Sequence, residues 1–302
     1  MHAMHGSQNQ PSRAGGRQRR QLLTDTLKLA AAVAVGGWLM LRGTADLGYH
    51  WQWYRVPRYL VSFDDGGFVA GPLLQGLAVT LQITGASLCL ALLFGLVTAL
   101  MRLSGSVMAR WTARAYLELI RNTPLLVQLF FIYFVLGPIL QIEAFAAAVL
   151  ALSLFEGAYA SEIFRAGILS IHRAQWEAAY SIGLGTWHTY RLVILPQAVR
   201  IILPPLTSQA VSLVKDSALV STIAIYDLAM QGQAIVAETY LVFEIWFTVA
   251  AVYLVITLAL SLTVSAMQKK LSVGHQPPAG SRYSKPRAAG GRQPAGAGDA
   301  GA

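Results

Sequence analysis

An all-α membrane protein is the fold class this chain predicts, and three observations carry the prediction. Hydrophobic residues make up 55% of the 302 residues and charged residues 12%, with a mean hydropathy of +0.51; a soluble domain carries about a quarter charged. Apolar runs approach or exceed the ~20 residues that cross a bilayer. Basic residues collect in alternate connections between those runs, as the positive-inside rule requires.

The first run, Leu27 to Leu41, is short and interrupted by Gly36-Gly37. Arg13, Arg17, Arg19 and Arg20 precede it, which is also the shape of a signal-peptide core. The following stretch from Arg42 to Tyr49 lacks a small-x-small cleavage site, so the run is expected to stay as a span over residues 27–42. Five further runs follow: Leu73 to Leu103, Pro124 to Leu140, Ala144 to about Ile168, Ala198 to Met230, and Val242 to Met267. Six spans put Arg102, Arg110, Arg114, Arg121, His172, Arg173, Arg191, Arg200, Lys269 and Lys270 on one side, the cytoplasm, together with both termini. The connection 43–72 falls outside. Its Tyr49, Trp51, Trp53, Tyr54 and Tyr59 suggest an interfacial aromatic belt, with a helix lying along the outer surface. Residues 1–26 and 268–302, rich in Gly, Ala, Pro, Gln and Arg, are expected to be disordered cytoplasmic tails.

The same composition excludes several functions. A formal net charge of +9 invites a nucleic-acid reading, but the basic residues sit where membrane orientation puts them. Cys89 is the one cysteine and the six histidines show no ligand spacing, so neither a disulfide nor a metal site is expected. No Gly-x-x-x-x-Gly-Lys-[Ser/Thr] phosphate loop occurs. The chain is therefore expected to carry no catalytic set and no cofactor of its own.

A charge at membrane depth is costly and persists where it faces protein or water. Lys215-Asp216 lies inside an apolar run too long for one helix and containing Pro204-Pro205, so a broken helix is expected there. Lys215, Asp216 and Ser217 are candidates for a translocation path; a pair that neutralises itself at the break is an equal reading. Glu156 shares a helix face with Tyr159, which makes both candidates for the path or for a subunit contact. Glu162 and Arg165, also three apart, are expected to pair with each other or to snorkel outward.

Between the fourth and fifth runs, over about 170–197, lies Gln175-Trp176-Glu177-Ala178-Ala179-Tyr180-Ser181-Ile182-Gly183, and after nine more residues Val193-Ile194-Leu195-Pro196. The pattern predicts a short helix with small residues at Ala178 and Ala179, ended by Gly183, then a second helix from about Trp187 closing at Pro196. Small side chains admit close approach of another protein, and Glu177 offers it a charge.

This spaced pattern resembles the signature of the permease subunits of ABC importers, Glu-Ala-Ala, three residues, Gly, nine residues, Ile-x-Leu-Pro, with Val193 in place of the isoleucine. Four segments narrow the resemblance to the polar amino acid branch: Arg121-Asn122-Thr123-Pro124-Leu125-Leu126-Val127-Gln128, the Ala158-Tyr159 to Gly167 segment, Leu195-Pro196-Gln197-Ala198-Val199-Arg200, and Lys215-Asp216-Ser217-Ala218-Leu219-Val220. Together they cover about Leu73 to Met267 in the family's order. Ala174-Gln175 stands for the usual Gly-Gln, and Ser217-Ala218 for Thr-Ser.

The resemblance implies a five-helix importer core over 73–267 with one additional N-terminal transmembrane helix. It implies docking of a separate ATP-binding subunit, carrying ATP and Mg, at Glu177, Ala178, Ala179, Gly183, Leu195 and Pro196. It implies a second permease subunit, identical or related, a periplasmic solute-binding protein, and residence in a bacterial inner membrane surrounded by lipid. Polar or charged L-amino acids are the implied cargo; an opine or ectoine-like zwitterion is the alternative, as is a membrane signalling protein that kept the fold and lost transport. Reporter fusions after Arg20, near Arg114, near His188 and after Lys270 should all report cytoplasm, and one near Asp64 the outside. A cytoplasmic signal at Asp64 overturns the six-span arrangement.

Overall fold

The computed structural model describes residues 14–46, 48–64 and 67–272. They form two compact units, one ending at Val56 and the other starting at Pro57. In the first, helix α1 runs Ala14–Asp46. The expected disorder of 1–26 therefore does not extend over 14–26, where the run Arg17 to Leu23 consists largely of strong helix formers. Residues 1–13 and 273–302, which hold the rest of the two expected disordered tails, lie outside the described residues. After α1, Trp51 stacks on Trp53 at 5.8 Å and meets Tyr49 edge-on at 5.5 Å, ahead of a single 3-10 turn, Trp53–Arg55.

The second unit opens with α2 (Pro57–Leu60) and an antiparallel hairpin of β1 (Val61–Asp64) and β2 (Gly67–Ala70), with Val61 opposite Ala70. In place of the helix expected along the outer surface, this connection holds short pieces. Alternating Val61 and Phe63, followed by Asp64-Asp65-Gly66-Gly67, form a hairpin signal.

Helices then follow almost without interruption: α3 (Pro72–Leu103), α4 (Val107–Arg121), α5 (Leu125–Phe130), α6 (Gly137–Leu140) after a π-helical stretch Phe131–Leu136, and α7 (Ala144–Leu169). Next come α8 (Arg173–Ser181), α9 (Thr186–Thr189), α10 (Leu195–Asp216), α11 (Leu228–Thr239) and α12 (Val242–Ser272). Among the described residues α3, α7 and α12 are each long and apolar enough to cross a membrane; two bent pairs, bent by 104° and 48°, raise the number to five. Helix α1 is outside this set, its apolar stretch being bounded by Lys28 and Arg42. All the same, Leu27, Leu29, Val35, Trp38 and Leu39 on it are exposed.

The core lies between α3 and α7. With lipid as the competing solvent, helix association relies on small residues and close packing, and this interface is built of them. A Cβ on Gly95 would sit 2.7 Å from the Ala160 Cβ, and one on Gly157 would sit 2.9 Å from the Phe94 Cβ. The Ser153 hydroxyl, which bonds the Val149 carbonyl of its own helix, shares its proton with the Ser87 carbonyl at 3.2 Å across the same contact. Helix α5 and the 3-10 turn after α10 close the cluster with Leu125, Leu129, Val220 and Ile223.

The 104° bend falls at Asn122-Thr123-Pro124. Gln128 locks it: its Nε2 donates to the carbonyls of Ile120 (2.8 Å) and Thr123 (3.0 Å) and to the Thr123 hydroxyl (2.8 Å). Pro204 and Pro205, expected to break the fifth run, sit inside α10. Proline's fixed φ is itself helical, so the chain forgoes hydrogen bonds there without leaving the helix. The break comes later, at the 3-10 turn Ser217–Ile223, left-handed Ala224, and Asp227, whose carboxylate accepts from the Met230 N–H at 2.8 Å to start α11.

Replacing Gly157 or Gly95 by valine should weaken the α3–α7 interface by about 1–3 kcal/mol through overpacking. Thermal unfolding of the detergent-solubilised protein should show lowered midpoints for both, whereas Gly85→Ala, whose new methyl meets nothing within 4 Å, should leave the midpoint in place.

Candidate functional site: a docking helix and a buried polar cluster

The sequence between α7 and α10 builds a self-contained corner. His172 starts α8, its Nδ1 accepting from the Ala174 N–H at 3.2 Å. Gly183, with φ +81°, ends it. The Gly183 N–H donates to the Tyr180 carbonyl at 2.9 Å and the Leu184 N–H to the Ala179 carbonyl at 3.1 Å, the paired bonds of a Schellman cap. Trp176 packs edge-on to Tyr190 at 4.9 Å, seating the helix on the cluster of Ile168, Ile171, Ile194, Ala198 and Ile202.

This seating divides the predicted docking residues. Glu177, Ala178 and Tyr180 are exposed, and Glu177 is bridged to Arg173 at 2.9 Å. Ala179, expected beside Ala178 on the outer face, is instead 3% exposed and turned into the chain. At the Ala179 position the small side chain lets α8 lie close to its own support. Leu195 and Pro196 are exposed but do not close a helix. A π-helical stretch, Tyr190–Ile194, carries α9 directly into α10, and its wide turn accommodates the N–H that Pro196 lacks. Gln197, singled out only as part of the Leu195-Pro196-Gln197-Ala198 segment, clamps the corner: its Nε2 donates to the Val193 carbonyl at 2.8 Å and to Gln175 Oε1 on α8 at 3.4 Å.

At membrane depth, Glu156 is 2% exposed and neither carboxylate oxygen has a hydrogen-bond partner. The polar groups that face it are Gln209 and Asp216 of α10. Of the predicted path residues, the structure brings Glu156 and Asp216 together. Ser217 is buried with its hydroxyl spent on the Val214 carbonyl at 2.8 Å, and Lys215 is exposed, forming no salt bridge with Asp216. Tyr159 parts from Glu156: it packs on Phe155 at 5.1 Å and under the Arg121 guanidinium at 5.7 Å.

Tyr159 belongs with a second cluster. Glu162 and Arg165 pair as expected at 3.3 Å, but Glu162 also holds Arg102 of α3 at 2.5 Å and Arg121 at 3.4 Å. One carboxylate thus joins α3, the end of α4, and α7. The i,i+3 spacing pointed to Arg165 alone; the other two arginines come from distant segments.

Residues 91–273 match the family of binding-protein-dependent transport system inner membrane components. The chain belongs to that family. It is 40% identical over 204 residues to the glutamine transport system permease protein GlnP of Escherichia coli (strain K12), covering 67% of this chain and 93% of that protein. It is also 40% identical over 203 residues to the L-cystine transport system permease protein TcyB of Bacillus subtilis (strain 168), covering 66% and 87%. Among solved structures, the crystal structure of an amino acid ABC transporter with histidines superposes with a TM-score of 0.62 at 39% identity, covering 66% of this chain and 94% of that one. An inward-facing MetNI methionine ABC transporter shares the fold at 20% identity, with a TM-score of 0.57 over 66% and 96% of the two chains. This family member is accordingly a multi-pass membrane transport subunit.

Gly183→Val should strain the cap by about 1–2 kcal/mol, the left-handed penalty for a side chain with a Cβ. Hydrogen exchange should show faster amide exchange across Arg173 to Leu184 and unchanged protection in α3 and α7.

Proposed function

We propose that this chain is the permease subunit of an ATP-driven importer carrying polar or charged L-amino acids across a bacterial inner membrane. The relatives named for glutamine and L-cystine, and a glutamate/aspartate import permease of Escherichia coli O157:H7 at 36% identity, support the cargo class. The observation that carries the reading is the docking corner: α8 is closed by a glycine cap, clamped to α10, and presents Glu177, Ala178 and Tyr180 outward.

On this reading two permease subunits, two copies or a related pair, enclose the path. Separate ATPase subunits, which carry ATP and Mg, dock on α8 from the cytoplasm, and a periplasmic binding protein delivers the cargo. The termini are cytoplasmic, α1 is a sixth span, and residues 43–72 lie outside. Closure of the ATPase pair draws the two α8 helices together and reorients the spans, which requires contacts that differ between the two states. Glu156 supplies such a contact. A buried carboxylate whose polar neighbours, Gln209 and Asp216, include no cation is unfavourable, and an amino acid's ammonium group arriving between α7 and α10 would satisfy it.

Purified complex reconstituted in vesicles with its ATPase and binding protein tests the reading. Ala178→Arg should reach the membrane but lose ATP hydrolysis stimulated by loaded binding protein. Glu156→Gln should keep its ATPase subunits while uptake falls by about tenfold or more, the scale of one charge-assisted hydrogen bond. Full stimulated turnover in Ala178→Arg would remove α8 as the coupling element.

A further inference from the structure

Helix α4 has three sides by its 100° per residue. Ala113, Leu117 and Ile120 face inward and are buried. Arg110, Arg114, Glu118 and Arg121 form a charged ridge. Between that ridge and the far edge of the buried side runs an apolar stripe, Met108, Trp111, Ala115 and Leu119, in which Met108 is 76%, Trp111 63% and Leu119 66% exposed.

A depression flanks the helix on each side. On the ridge side is a polar cavity of about 340 Å³, into which Arg102, Arg114 and Arg121 project with Glu118 and Glu162. Glu162 is already shared among Arg102, Arg121 and Arg165, and Glu118 accepts from the Asn122 side chain at 2.9 Å. Arg114 forms no salt bridge among the described residues and rests 5.8 Å from the Trp111 ring. The cavity therefore holds a surplus of guanidinium. On the opposite side is an apolar groove of about 420 Å³ between α3 and α4, bounded by Leu93, Val97, Met101 and Thr112. The exposed stripe joins cavity to groove around the helix.

We propose that α4 holds one anionic phospholipid, its phosphate against Arg114 and Arg121 in the polar cavity and an acyl chain along the stripe into the groove between α3 and α4. Charge complementarity selects the headgroup, because an excess of arginine bordered by exposed tryptophan and aliphatic side chains matches a phosphate attached to hydrocarbon. A free oxyanion would use the cavity and leave the groove and stripe bare.

Native mass spectrometry of the purified complex, extracted in mild detergent and offered equal phosphatidylglycerol and phosphatidylcholine, tests this. The natural chain should retain phosphatidylglycerol over phosphatidylcholine. Arg114→Gln should lower that retention about tenfold, the lower end for a charge-assisted hydrogen bond, and Arg114→Lys should keep most of it. Val97→Trp, which fills the groove without touching a charge, should lower it as well. Arg200→Gln, an exposed arginine on α10, should change nothing. Equal retention of the two lipids, or unchanged retention in Arg114→Gln, overturns the proposal. Displacement of the lipid by millimolar inorganic phosphate, with Val97→Trp silent, overturns it in favour of a free-oxyanion site.

Discussion

The close approach of α3 and α7 is the contact on which the other helices depend. In lipid there is no water to expel from between two apolar helices, so dispersion at short range does most of the holding. Gly95 against Ala160 and Gly157 against Phe94 bring the backbones near enough for serine hydroxyls to reach across. Both other major supports lean on the same helix α7. The Tyr116 hydroxyl of α4 donates to the Leu154 carbonyl at 2.6 Å, and Gly167 gives the Ile202 side chain of α10 its seat.

Two glutamates six residues apart on α7 show how the chain treats charge in opposite ways. Glu162 is surrounded by cations from three segments, which ties those segments together and leaves nothing for a ligand on the carboxylate. Breaking such a network by removing one member is far more damaging than its net contribution suggests, because the remaining charges lose their partner. Glu156 is more deeply buried, faces the side chains of Gln209 and Asp216, and forms no salt bridge among the described residues.

Much of this was legible in the sequence because the motifs are local geometry. The glycine at 183 predicts the cap that Gly183 makes. Arg121 to Gln128 proves to be a corner, with Pro124 starting the new helix and Gln128 fastening it to Ile120 and Thr123. What spacing could not supply was direction. Ala178 and Ala179 are indistinguishable as letters, yet neighbours on a helix differ by 100°, and one faces outward while the other faces its own chain. Spacing of i,i+3 places Tyr159 with Glu156, but Arg121, 38 positions earlier, draws it into the other cluster. The prolines differ for a related reason: whether they end a helix depends on what surrounds them, and a π-helical turn precedes Pro196 while α10 continues through Pro204-Pro205 despite the bonds lost there.

The placement of the docking corner bears on how a push on it would be felt. Helix α8 is joined to α7 by only three residues and, through Gln197 and Trp176, to the start of α10. Glu156 lies about 20 Å up α7 from its end at Leu169, and Gln209 about 21 Å up α10 from Leu195, at 1.5 Å per residue. The two arms that carry the buried cluster are therefore nearly equal in length and share one base. They are unequal in stiffness. The α7 arm has no proline and is packed on α3 at Gly157 and Ala160, whereas Pro204-Pro205 interrupts the hydrogen bonding of the α10 arm between its base and Gln209. Displacement of α8 should accordingly bend α10 more than α7, and the quantity that changes is the separation between Glu156 and its neighbours Gln209 and Asp216. In the proposed function, that is the separation a bound ammonium group would bridge in one state and lose in the other.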